Sequence, residues 1–254
     1  MTARNEILTK LRSALADPNP HFPPQTAEPL RAETRMTVTA AGGNKLDLAQ
    51  RFGAELERLH GSFEIVESIA EARLALINRL LTWMAEEKAN QKGAILATGQ
   101  ERSILSWDPA ALPVPGLDDA LRDMQMNLIS PAELRTEESR TAVRFIRYGV
   151  TGAAAAFAST GSLLVASSAQ TSRAASLLPF RHIALVPFER LYPTVEAWLI
   201  EQRQAGTLVD YLRSHSNVAM ITGPSKSADI EMILTLGVHG PKYVHAILFG
   251  KVEG

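Results

Sequence analysis

The sequence predicts an α/β protein whose core is an open, mostly parallel sheet flanked by helices. Two observations carry this. Segments of helical period alternate with short apolar runs along most of the 254 residues, and the runs are continuously apolar rather than alternating, the pattern of strands buried on both faces. Helical spacers of this length suit right-handed parallel crossovers.

The elements follow in order. Ile7, Leu8, Leu11 and Leu15 recur at helical spacing, so residues 3–16 are predicted to form an amphipathic helix. The segment PNPHFPPQTAEP, residues 18–29, holds five prolines in 12 residues, which restricts φ, removes donors and favours an extended arm. Such an arm suits a strap on its own domain or packing on a neighbouring subunit of a homo-oligomer. Gly42 and Gly43 mark the expected boundary, giving an N-terminal helix and arm over 1–43 and an α/β domain over 44–254. Within the domain, helical period is expected over 46–59, 70–88, 131–147, 188–205 and 226–236, with Pro131 at a first helical position. Strands are expected at 63–68, 94–98, 126–130, 154–158, 162–166, 182–187, 218–222 and 244–249, with a proline-rich crossing over 109–116 and an inserted antiparallel hairpin.

Composition excludes several classes of function. The chain contains no cysteine, which removes disulfides, a thiolate nucleophile, cysteine-ligated zinc and any iron–sulfur cluster held by this chain alone. Basic and acidic residues number 26 and 27, a net charge of −1, so no global field favours nucleic acid or an anionic membrane. No apolar run approaches the roughly 20 residues of a membrane span. The opening MTARNEILTKLRSAL lacks a signal peptide's apolar block, and the cytoplasm is the expected location.

Three stretches carry candidate chemistry. In TGPSKSADIE, residues 222–231, the glycines of a Walker loop are missing. A helix beginning at Ser225 leaves two readings open: an ordinary capped helix with Lys226 paired to Asp229, or exposed amides and Lys226 holding a carboxylate or phosphate beside Gly223. Glu231 ranks below Asp229. In GVHGP, residues 237–241, His239 lies between glycines at a connection, where it could move a proton. His245 is expected in the core, and the histidines lack metal-site spacing. In GVTGAAAAFASTGSLLVAS, residues 149–167, an alanine-rich strand implies close approach of a neighbour, and Thr160, Gly161 and Ser162 offer hydroxyls and an amide to a small anion, with Thr151 in support. Neither a G-x-S-x-G elbow nor a G-x-G-x-x-G fingerprint occurs.

The ordered words VTGAAAAFASTGSLLVASS, LLPFRHIALV, ITGPSKSADIE and GVHGP resemble the lactate utilization protein C family, the LUD-domain proteins, over residues 145–250. The resemblance implies a fold like that of ribose-5-phosphate isomerase, glucosamine-6-phosphate deaminase and the CoA transferases, with small anionic metabolites bound at strand-end loops. It also implies a part in oxidising L-lactate to pyruvate beside companion proteins that carry the iron–sulfur clusters. Where the family has Thr-Gly-Ala-Asp-Phe-Ala-Ile-Ala-Glu-Thr-Gly, this chain has Ala154 for the aspartate and Ser159 for the glutamate. The glycine-rich loop that follows is changed to residues 168–173, in which Arg173 offers a charge. The expected site therefore gathers Thr160, Gly161, Ser162 and Arg173 with Gly223, Ser225, Lys226 and His239, and no metal. A stand-alone isomerase or transferase acting on a phosphorylated or CoA-linked metabolite and a non-catalytic metabolite-binding scaffold remain the alternatives.

Overall fold

The computed structural model describes residues 3–16, 43–90, 100–130, 134, 136–228 and 234–251. The proline-rich arm, the strand expected at 94–98, Pro131, Asp229 and Glu231 lie outside them. The chain divides into two compact units, residues 1–38 and 39–254. In the first, helix α1 (Ala3–Ala16) covers the segment whose apolar spacing predicts it.

The second unit opens with α2 (Lys45–Arg58), β1 (Ser62–Val66), α3 (Ile69–Asn90), β2 (Ser103–Ser106), α4 (Leu117–Asp123), β3 (Asn127–Ile129), α5 (Glu137–Val143) and β4 (Tyr148–Gly152). It continues through β5 (Ala155–Phe157), β6 (Ser162–Ser167), α6 (Ala174–Leu177), β7 (Arg181–Pro187) and β8 (Leu191–Tyr192). The last elements are α7 (Val195–Gln204), α8 (Leu208–Ser214), β9 (Asn217–Thr222), β10 (Lys226–Ala228), β11 (Leu234–Leu236) and β12 (Tyr243–Phe249).

Six strands form the central sheet in the order β1-β12-β7-β4-β2-β3, and every neighbouring pair is parallel. β12 is buried from Val244 onward, as its nearly continuous apolar run requires, and β4 is buried along its whole length between its neighbours. Helix α2 begins where Asn44 and Asp47 cap each other: the Asn44 side chain accepts from the Asp47 amide at 2.9 Å, and the Asp47 carboxylate accepts from the Asn44 amide at 3.0 Å. Its Leu48, Phe52 and Leu56 recur every four residues and are buried in the main core. A second sheet, β8-β5-β6-β9, is antiparallel except where β5 meets β8.

Close packing explains one glycine of β4. A Cβ on Gly149 would lie 2.1 Å from the Ala175 carbonyl oxygen and 2.6 Å from Pro179 Cγ, because α6 rests on the strand backbone. Gly149→Ala is therefore expected to cost about 1–3 kcal/mol through overpacking, read as a lower urea midpoint; an unchanged midpoint would mean that α6 moves aside freely.

The structure corrects three helices. Residues 226–236 are not helical where described: β10 and β11 pair antiparallel, Lys226 opposite Leu236, and the Gly237 amide donates to the Ser225 carbonyl at 2.8 Å. That tertiary pairing overrides a weak helical propensity, and Ser225 caps no helix. The helix expected over 188–205 starts at Val195, since Pro193 ends the preceding strand and Thr194 caps the helix, accepting from the Ala197 amide at 3.3 Å. α5 is confined to Glu137–Val143, with Thr136 as its cap, and β4 follows directly.

Candidate functional site: the crevice between β2 and β4

From β2 the chain passes outward to edge strand β3, then returns across β2 to β4 and continues away from it toward β7 and β12. The winding direction reverses between β2 and β4. In open α/β sheets the carboxyl ends of such strands spread apart and leave a crevice, the usual place for a ligand. A cavity of about 330 Å³ lies there.

Each wall comes from residues just beyond a strand. Trp107 follows β2, and its main-chain amide continues the ladder onto the Val150 carbonyl at 3.4 Å. The Trp107 ring lies against the end of β4, where a Cβ on Gly152 would meet its Cζ3 at 2.9 Å. Ala154 follows β4, and its amide donates to the Leu164 carbonyl at 2.7 Å as the chain enters β5. Arg190 follows β7, and its Nη1 donates to the Ala153 carbonyl at 2.7 Å. Thr171, in the loop after β6, and Tyr211 and His215, on and after α8, complete the rim.

The polar groups are unusual in what they leave unused. Trp107 is 4% exposed, and its Nε1 has no hydrogen-bond partner. The Tyr211 hydroxyl is buried without one as well. Burial, partly opposed by the charge of Arg190, pushes the Tyr211 phenol up to about 12, so the hydroxyl is a neutral donor. His215 Nδ1 lies 2.7 Å from the Tyr211 carbonyl, which can only accept, so Nδ1 carries a proton and donates to it. None of the lining residues is acidic. The lining thus includes one cation, Arg190, and two neutral donors without partners, on Trp107 and Tyr211.

The residues singled out in the sequence fall in four places. Thr160 donates to the Ser162 hydroxyl at 2.9 Å, and Ser162 is 2.9 Å from the Thr222 hydroxyl, with Ser162 opposite Thr222 in the ladder and Gly223 next in the chain. Ser225 lies beside GVHGP: its hydroxyl accepts from the His239 amide at 3.4 Å, and its amide donates to the Pro241 carbonyl at 2.9 Å. Lys226 and His239 are exposed there. Gly161 and Gly223 take φ of +62° and +74°, and added Cβ atoms would strike the Leu56 amide at 2.6 Å and Leu59 Cβ at 2.8 Å. These glycines admit the end of α2 rather than leaving an open cradle. Thr151 is buried in β4, 2.9 Å from His182 Nε2.

Arg173 sits apart from the first two groups. It is exposed and follows β6, whereas Thr160 precedes that strand, so roughly 17 Å of strand separates the two ends. Ala154 lines the crevice, while Ser159 lies beyond the far end of β5, its amide donating to the Pro193 carbonyl at 3.0 Å. Trp107, Arg190, Tyr211 and His215 belong to no recognisable motif. Their common signal is position: Trp107 and Arg190 lie one and three residues past a parallel strand's carboxyl end, and the other two lie on or just after a helix packed beside the second sheet. Among the described residues no group of three or more His, Asp or Glu is placed to hold a metal ion, and no helix is long and apolar enough to cross a membrane.

An open, mostly parallel central sheet flanked by helices defines an α/β protein. The chain belongs to the LUD domain family, whose model matches residues 49–249. It is 29% identical over 249 residues to lactate utilization protein C of Exiguobacterium sp., covering 98% of this chain and 96% of that one. It is 26% identical over 257 residues to the uncharacterized protein YkgG of Escherichia coli, covering 98% and 99%. Among solved structures, a duf162 family protein of Deinococcus radiodurans shares the fold, with a TM-score of 0.50 and 19% identity over 82% of this chain and all of that one.

Proposed function

We propose that this protein is a cytoplasmic component of lactate utilization, a small-anion-binding subunit that works beside iron–sulfur companion proteins as L-lactate is oxidised to pyruvate. The observation that carries the reading is the nearly end-to-end similarity to lactate utilization protein C of Exiguobacterium. A chain without cysteine depends on other proteins for cluster ligation, which fits a subunit of a shared system. Deleting the gene in a strain without a second copy is expected to abolish growth on L-lactate while leaving growth on glucose intact. Unimpaired growth on L-lactate would overturn the reading. Affinity isolation from lactate-grown cells should recover iron-containing partners.

One observation favours a second reading, a non-catalytic scaffold that binds a metabolite. Ala154 occupies the crevice wall where the family resemblance calls for an aspartate, and an alanine supplies neither base nor nucleophile. Turnover of sugar phosphates or acyl-CoA by the isolated protein would instead favour an isomerase or transferase, as the fold that the family resemblance implies would allow.

A further inference from the structure

We infer that the crevice between β2 and β4 is an oxyanion site, with Arg190 as its charge anchor and the Trp107 indole N–H and Tyr211 hydroxyl as fixed donors, and that its ligand is an anionic metabolite larger than lactate. The inference rests on the anion-binding part of the function proposed above and is independent of the lactate pathway.

The donors identify the ligand's chemistry. An indole N–H can only donate, so Trp107 Nε1, in a crevice-lining residue that is 4% exposed, is a donor in want of an acceptor. The Tyr211 hydroxyl is a second buried donor without a partner, and Arg190 is close enough for its charge to act on that phenol. Arg190 spends Nη1 on the Ala153 carbonyl, which fixes the guanidinium beside the reversal point and leaves its other N–H groups for a ligand. Among the described residues no carboxylate forms an ion pair with it, and none lines the cavity. An oxyanion satisfies every one of these groups. A cation or an apolar ligand satisfies none.

The crevice has room for more than lactate. It measures about 330 Å³ and opens to solvent, at the lower end of the volumes that take small-molecule ligands, whereas L-lactate has six non-hydrogen atoms. The small side chains of Ala111, Ala154 and Ala166 keep that space open. The fit is a carboxylate or phosphate group on Arg190 carried by a body on the order of ten non-hydrogen atoms.

The test is calorimetric titration of the full chain with citrate, phosphoenolpyruvate, inorganic phosphate and L-lactate. Citrate or phosphoenolpyruvate is expected to saturate the protein at least tenfold more tightly than L-lactate. Arg190→Gln should weaken that binding tenfold or more, Arg190→Lys should restore part of it, and Trp107→Phe, which keeps a ring and removes the N–H, should weaken it several-fold. Circular dichroism establishes that each variant is folded; should Arg190→Gln fail to fold, Trp107→Phe decides. The inference is overturned if no probe saturates, if L-lactate binds most tightly, or if the variants bind like the parent. An Arg190→Gln strain that grows normally on L-lactate, where the deletion strain does not, overturns the site's role and leaves the proposed function standing. A deletion strain that grows normally removes the proposed function, and the titrations alone then judge the site.

Discussion

Replacing Arg181 with methionine is expected to destabilise the protein by about 3–5 kcal/mol, the usual cost of stranding a buried charge. Arg181, the first residue of β7, is 5% exposed. Its Nη1 lies 2.8 Å from Glu86 and its Nε 3.1 Å from Glu87, while the guanidinium carbon stacks 4.7 Å from the Tyr243 ring centre and 5.2 Å from that of Trp83. Glu87 is the group left exposed to the consequence. Its side chain is 14% accessible and also accepts from Arg147 at 2.8 Å and from the Tyr148 hydroxyl at 3.0 Å. Burial and the Glu87 charge both push the Tyr148 phenol above its ordinary range, so that hydroxyl remains a donor. Removing Arg181 leaves a poorly solvated carboxylate with two of its three donors, and its Oε1 with none of them. Glu86 is 49% accessible, so Glu86→Gln should cost at most about 1 kcal/mol. Urea denaturation gives both values, and adding Glu87→Gln to Arg181→Met should recover part of the loss. A loss below about 1 kcal/mol for Arg181→Met would show that the network contributes little.

The sheet was legible where strands are long and apolar. IALV and VHAILF read as buried strands because a parallel strand with both faces covered has no polar alternation to hide it. Two of the strands that define the crevice were not. β2 is SILS and β4 is YGVTG, short segments whose serines and glycines weaken any apolar signal. Their placement depends on neighbours: β4 is held between β2 and β7, and Gly149 is selected by the contact with α6, not by strand propensity. The hairpin β10–β11 failed for the opposite reason. Its residues have a helical rhythm, and pairing across the hairpin, visible only in three dimensions, decides the outcome.

The candidate site was less legible still. Glycine-rich words draw attention, yet Gly161 and Gly223 serve the approach of α2 to the second sheet. The groups that converge on the crevice come from three separate segments, at 107, 190 and 211–215. Nothing in their spacing links them, because the link is the reversal of strand order between β2 and β4. The alanine-rich strand was informative in part: Ala154 does line a cavity, while Ala155, Ala156 and Ala158 are buried in packing. Zero cysteines, by contrast, constrained function outright, since no fold can supply a ligand the chain lacks.

Stability should fall by about 3 kcal/mol for each of two buried histidines as the pH is lowered from about 6.5 to about 4. His182 is fully buried in β7; burial pushes it down to about 4, with Nε2 2.9 Å from Thr151 Oγ1 and Nδ1 without a partner. His245, in β12, is pushed down to about 3, first by burial and then by the charge of Arg79. Its Nδ1 lies 2.8 Å from Ser62 Oγ, and its ring meets Trp83 edge-on at 6.2 Å between centres. Glu64, 3.9 Å from Nε2, pulls the other way, but that carboxylate is 42% accessible and solvent screens it, so burial prevails. The sign follows from proton counting. Between about 4 and 6.5 the unfolded chain binds a proton at each histidine that the folded chain refuses, so stability is full above pH 6.5 and drains as the pH falls. Carboxylates add their own acid dependence below about pH 5, which makes the interval from 6.5 to 5 the diagnostic one. His182→Gln keeps a polar atom near the Nε2 position and His245→Asn keeps one near Nδ1, while neither new side chain titrates. Each variant is expected to start less stable at pH 7.5 and to lose about half of the parent's slope in that interval, with the double variant nearly flat. Urea denaturation at half-unit steps of pH measures it, and a double variant with the parent's slope would place the acid sensitivity elsewhere in the molecule.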